Sequence, residues 1–171
     1  MELTDILPLE KWVELEKEIV EKTGLNAGVY NIKGVRITDF KKWPNKLCPE
    51  INGNKKGQTF ICAPAYQNMA AIAENTKKGV AEECDAGLGR IVVPIMVNDT
   101  LIGTAGGCGL MFEDGEVETF FINKNIDMDE KTIDDMAEDI ALMSEEQKDD
   151  AVVFIEARIK DILDKYRDNN R

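Results

Sequence analysis

The chain has 171 residues, 43% of them hydrophobic and 32% charged, which suits one domain with its own core and excludes a disordered polar chain or a disulfide-stapled miniature. With 33 acidic residues against 21 basic ones the net charge is -12. That field repels phosphate backbones and anionic headgroups, so neither nucleic acid nor a membrane surface is an expected partner.

Met1-Glu2-Leu3-Thr4-Asp5 lacks a basic segment followed by an apolar one, and no apolar run approaches the roughly 20 residues that span a bilayer. The expected location is the cytoplasm. From Pro8 to Thr23, Leu9, Trp12, Leu15, Ile19 and Val20 fall near helical spacing. Pro8 suits a first turn and Gly24 a stop, so a helix is predicted. Asn26 to Thr38 reads as a β-hairpin around Lys33-Gly34. Residues 39–57, rich in Lys, Asn, Pro and Gly and carrying Trp43 and Cys48, read as a loop with at most one short helical turn, long enough to suggest a function. A second helix is predicted from Gln58 to Lys78, regular from Pro64 onward and stopped by Gly79, with Cys62, Tyr66 and Met69 near one face.

The clearest strands are Gly89 to Val97 and Thr100 to Cys108, joined by the tight turn Asn98-Asp99. The segment Glu113 to Asn125 reads as a linker that allows a strand at Val117 to Ile122. Asp129 is suited to cap a helix running to about Met143. Ser144-Glu145-Glu146-Gln147 is a capping box for a last helix. Its stripe of Val152, Ile155, Ile159, Ile162, Leu163 and Tyr166 is expected to pack on the same domain rather than on a partner's helix. The order predicts an α+β fold in which an antiparallel sheet is flanked by helices, in one domain over 1–171 with its core at about 5–125 and C-terminal helices at about 129–168. PAS and GAF sensors share that outline.

The chemistry of interest rests on Cys48, Cys62, Cys84 and Cys108. A chain of this size needs no staples, and a cytosolic compartment keeps thiols reduced, so free thiols, core fillers and metal ligands are the open readings. Histidine is absent. This removes the usual general base, the Ser-His and Cys-His pairs and mixed Cys/His zinc sites, so no enzyme is expected. No Cys-x-x-Cys knuckle is present. Ideal pairing about Asn98-Asp99 sets Ile91 opposite Gly106 and Cys108 opposite about Gly89, which brings Cys108 to the Cys84 end of the sheet. The carboxylates of Glu82-Glu83-Cys84-Asp85 disfavour a free thiolate, and a bound cation reverses that penalty.

The stretch Gly79-Val80-Ala81-Glu82-Glu83-Cys84-Asp85-Ala86-Gly87-Leu88-Gly89-Arg90-Ile91-Val92-Val93-Pro94-Ile95 resembles the core motif of PocR-type sensory domains, in which Cys, a small residue, Gly and Leu precede a Pro-Ile strand. Cys48-Pro49-Glu50-Ile51 with Cys62 resembles the family's earlier cysteine pair, and Leu101-Ile102-Gly103-Thr104 with Gly106-Gly107 its next strand. The resemblance covers about Asp5 to Met111 and implies a PAS-like module that senses small organic molecules. Such modules are commonly joined to transcription-factor, kinase or chemoreceptor outputs; this sequence departs in showing no output domain, so a stand-alone sensor is expected, passing its signal through a protein partner or a homodimer. The family's usual His after the third cysteine is Asp85 here, and its usual Gln after Gly-Gly is Cys108.

With that resemblance, Cys108 completes a set of four thiolate ligands without histidine, which suits an iron–sulfur cluster, [4Fe–4S] favoured, with zinc as the alternative. The expected function is redox or small-molecule sensing through this centre. The alternative is a small-organic-ligand sensor with structural zinc or free cysteines, its pocket lined by Trp43, Tyr66, Met69, Met96 and Met111.

Overall fold

The structure, a computed structural model, describes residues 1–170. It begins with a short helix, α1 (Leu3–Ile6), and α2 (Leu9–Thr23), which runs from Pro8 to Gly24 as expected. Gly24 ends α2 in the left-handed conformation and its N–H donates to the Val20 carbonyl, a common helix stop. Trp12 is buried on α2 and its indole N–H donates to the Leu3 carbonyl at 3.1 Å.

β1 (Asn26–Asn31) follows, and the predicted hairpin around Lys33-Gly34 closes at its tip only: Asn31 N–H donates to the Val35 carbonyl at 2.9 Å and Ile37 N–H to the Val29 carbonyl at 3.0 Å about a single bridge, Tyr30 to Arg36, and the return arm forms no strand along the rest of β1. β1 pairs instead along β4 (Thr100–Phe112), antiparallel. β4 also pairs with β3 (Gly89–Val97), and β3 with β2 (Val80–Glu83), giving the order β1-β4-β3-β2. A two-residue strand, β5 (Leu142–Met143), runs parallel to the end of β4. β2 was not foreseen; Glu82 and Glu83 hide its strand character, and as an edge strand it carries those charges facing water.

The β3–β4 turn forms at Asn98 and Asp99, both at positive φ (48° and 63°), as a two-residue hairpin turn requires. Val97 opposes Thr100 and Met96 opposes Leu101, the ideal register. A bulge then shifts the pairing so that Ile95 meets Gly103. One extra residue on β4 moves every later pair. Ile91 therefore faces Gly107, and Cys108 faces Arg90 rather than Gly89.

The two faces of the sheet have different jobs. Ala27, Val29, Ile91, Val93, Ile95 and Ala105 pack on α1, α2 and the last helix, α8 (Glu145–Asn169), in the largest core cluster. Ile155 and Ile159 of α8 are buried there, so its stripe packs within the chain. The Ser144 capping box forms in both directions, with Gln147 N–H donating to Ser144 Oγ at 3.2 Å and Ser144 N–H to Gln147 Oε1 at 2.9 Å. The opposite face carries Asn26, Tyr30, Thr104, Cys108, Arg90 and Val92, which the register sets in adjacent rows.

That second face is covered by helices that differ from expectation. Residues 39–57 hold α3 (Leu47–Gly53) and α4 (Lys55–Gly57). Gln58–Cys62 winds as a π-turn, and α5 (Ala63–Thr76) is the regular helix. Pro64 has no N–H to offer the Phe60 carbonyl, which favours the wider register just before it. Lys77, at φ 57°, ends α5 before Gly79 is reached. Val117–Ile122 forms no strand: α6 (Thr119–Ile126) begins there, and Phe120 and Phe121 stay exposed on it. Asp129 caps α7 (Glu130–Ala137) through the Thr132 N–H, but α7 stops short of Met143, which is in β5. No helix among the described residues is long and apolar enough to cross a membrane.

Candidate functional site

Each cysteine reaches the covered face from a different element. Cys48 lies in the first turn of α3, Cys62 ends the π-turn, Cys84 follows β2, and Cys108 projects from β4. All four are reduced, half-buried and line one cavity of about 420 Å³ between the sheet and the helices. That volume lies within the range of small-molecule sites, roughly 300–1,000 Å³.

Local chain geometry fixes the thiols. The Cys84 N–H donates to the Leu88 carbonyl at 2.9 Å, and Gly87 N–H returns to the Cys84 carbonyl at 2.8 Å. Gly87 sits at φ 87°, and a Cβ there would stand 1.8 Å from the Glu116 carbonyl oxygen, so the turn admits glycine alone. Asn45 ties two cysteine segments together. Its Oδ1 accepts the Cys48 N–H at 2.7 Å, and its Nδ2 donates to the Gly109 carbonyl at 2.7 Å and to Cys48 Sγ at 3.3 Å. Gly109, beside Cys108, adopts φ 107° against Pro44.

The thiols feel one another's charge. Burial pushes the Cys48 thiol well up, Cys108 adds to the rise, and the Asn45 hydrogen bond opposes it. Burial likewise raises Cys62 to about 11, opposed by Asn52. For Cys84, burial leads again, against hydrogen bonds from the Leu88 and Ala86 backbone; Cys108 adds to the rise, while the flanking carboxylates are not among the leading causes. Cys108 thus acts on all three others. In chelator-treated protein, iodoacetamide labelling of Cys62 is expected to be slow at neutral pH and to climb as pH approaches about 11. Labelling by mass spectrometry that is complete at neutral pH contradicts this. A raised folded value also means that stability held below the unfolded value is lost as pH rises through about 11.

Among the described residues, no group of three or more His, Cys, Asp or Glu is arranged to hold a single metal ion. The four thiols share a cavity without being grouped to hold a metal ion.

Of the other expected pocket residues, Trp43 and Tyr66 line the cavity. Met69 is buried with Val80 and Val92 under α5, Met96 lines a separate depression with Pro94 and Glu156, and Met111 packs on the Leu47–Ile122 cluster. These three methionines do not line the cysteine cavity.

Sequence reading missed Arg90, Arg36, Tyr30 and Asn45, all on the cavity wall or bound to it. Arg90 is 8% exposed, in a strand whose other residues are apolar, which was the available signal. Its guanidinium lies 5.7 Å from the Tyr30 ring centre and 5.2 Å from that of Tyr66, and its Nη1 reaches the Cys62 carbonyl only at 3.5 Å. Burial works against its charge, and Tyr30, Cys108, Cys62 and Cys84 outweigh that. Tyr66 O–H shares a 2.9 Å hydrogen bond with Thr104 Oγ1.

An antiparallel sheet with one face sealed by core helices leaves the other face, under its helical cover, to form a cavity of small-molecule size. The chain belongs to the PocR sensory-domain family: a family model described as "Sensory domain found in PocR" matches residues 5–166. No curated protein and no solved structure gives a match.

Proposed function

We propose that the cavity is the sensing site and that Cys48, Cys62, Cys84 and Cys108 hold an iron–sulfur cluster in it, of the [4Fe–4S] kind, for redox or small-molecule sensing. One observation carries this: four thiols from four separate elements line a single cavity whose wall, among the described residues, holds no carboxylate. The donor set is all sulfur, as such clusters require. A lone zinc ion wants every sulfur within about 2.3 Å of one point. A cluster takes one thiolate on each of several irons and so accepts a wider set. When bound, it supplies a centre that changes oxidation state.

The chain's own part is to carry the thiols on anchored turns, to set Asn45 against Cys48 Sγ, and to place Arg90 as a cation facing the anionic sulfur set. Hydrogen bonds and charge near the sulfurs are what a protein uses to tune such a centre. Anaerobic reconstitution with ferrous iron and sulfide is expected to load iron and acid-labile sulfide together onto the folded chain. Uptake of zinc alone, in a stable stoichiometric complex, would overturn the cluster reading in favour of a structural ion.

A second reading, a small organic ligand with the cysteines free or on zinc, is favoured by a different observation. Trp43, Tyr30 and Tyr66 put aromatic surface on the wall of the same cavity, as small-molecule sites do.

A further inference from the structure

The cavity's charge runs against that of the whole chain. In a protein of net charge -12, the wall bears Lys33, Arg36, Lys41 and Arg90 and, among the described residues, no Asp or Glu. Two of these cations stand in an unusual state, Arg90 buried and Arg36 half-buried. Arg90, 8% exposed, has no carboxylate partner among the described residues; its contacts are aromatic faces and one long hydrogen bond. Arg36 is held from behind by Glu16 at 3.5 Å and by the Ala27 carbonyl, while its Nε is buried without a hydrogen-bond partner. Both guanidiniums stand about the same ring, at 6.0 Å for Arg36 and 5.7 Å for Arg90 from the Tyr30 centre. Arg90, buried without a carboxylate among the described residues, has guanidinium donors left for a bound carboxylate, which takes paired charge-assisted hydrogen bonds.

We propose that the cavity binds a small organic acid with an apolar body, its carboxylate taken by Arg90 and Arg36 and its body lying against Trp43 and the tyrosine pair. Lys33 and Lys41, both exposed, draw the anion to the mouth of the cavity. The site deepens the organic-ligand reading; it shares its cavity and Arg90 with the thiols, so it is tested with the thiols unloaded.

Tryptophan fluorescence tests it. The chain has two tryptophans; Trp12 is fully buried in the core, whereas Trp43 is half-buried on the cavity wall. In folded, chelator-treated protein, iodide is expected to quench Trp43 severalfold more steeply than caesium once each slope is scaled to that of free N-acetyltryptophanamide, opposite to the order the net charge alone dictates. Benzoate should protect Trp43 from iodide saturably, and benzyl alcohol should not. Arg90→Gln should weaken benzoate by about tenfold or more, the order of one lost charged hydrogen bond. Should that variant misfold, the double variant Lys33→Gln/Lys41→Gln, on exposed side chains, should still shrink iodide's advantage over caesium.

Caesium quenching as well as iodide overturns the anion site. Benzyl alcohol protecting as well as benzoate, or neither protecting, overturns the organic acid. Visible absorbance measured on the same preparation before chelation keeps the two readings apart: a coloured protein that fails the iodide test loses only this inference, and a colourless one that passes loses only the cluster.

Discussion

Cys108→Ser is expected to abolish incorporation of iron and sulfide while leaving the fold intact. The change replaces one sulfur by oxygen at a half-buried position in the middle strand pairing, where β4 is held on both sides by β1 and β3. Cys108 is the thiol whose charge reaches all three others, so its loss removes the member they share. Iron and sulfide contents after anaerobic reconstitution, with circular dichroism to confirm folding, measure the effect. Wild-type loading in the serine variant rules out the four-ligand assignment.

Glu16→Ala is expected to cost about 3–5 kcal/mol, the effect of removing one partner from a buried ion pair, or about 6–20 °C in Tm for a chain of this size. Glu16 is fully buried on α2. Its carboxylate accepts the Val29 N–H at 2.9 Å and the Thr38 hydroxyl at 2.6 Å, and faces Arg36 at 3.5 Å. Alanine strands all three groups at once, and with them the support behind a cavity cation. Burial raises the Glu16 pKa above its ordinary 4.5, with Thr38, Arg36 and Val29 opposing. The folded chain therefore releases this proton later than the unfolded one, so stability present below the ordinary value is lost as pH rises through the folded value. Glu16→Gln, unfolded with urea at a series of acidic pH values, should lack that slope. A loss below 1 kcal/mol in the alanine variant contradicts the role given to Glu16.

What sequence could read here, and what it could not, divides along physical lines. The α2 periodicity, its Gly24 stop, the Asn98-Asp99 turn and the Ser144 box were legible because each is a local pattern with its own energetic signature. The bulge between Ile95 and Met96 was not: on β4 it falls at Ile102, between Leu101 and Gly103, and the Gly, Thr and Ala that follow carry no alternating hydrophobicity to mark a register. That single shift decides that Cys108 lies beside Arg90. The α6 region misled because Phe120 and Phe121 suit a strand by propensity, whereas the chain turns helical and leaves both exposed. The four thiols were named from sequence and do line one cavity. The cationic wall was not named: Lys33, Arg36, Lys41 and Arg90 are scattered along the chain and meet only through β1, its loop and β3.

The most direct test of the four-thiol centre is the visible absorption spectrum of the wild-type chain purified without oxygen. A brown protein whose visible band bleaches on reduction with dithionite, with iron and sulfide bound together, is the expected result. A correctly folded, colourless and iron-free protein, unchanged after reconstitution, contradicts it.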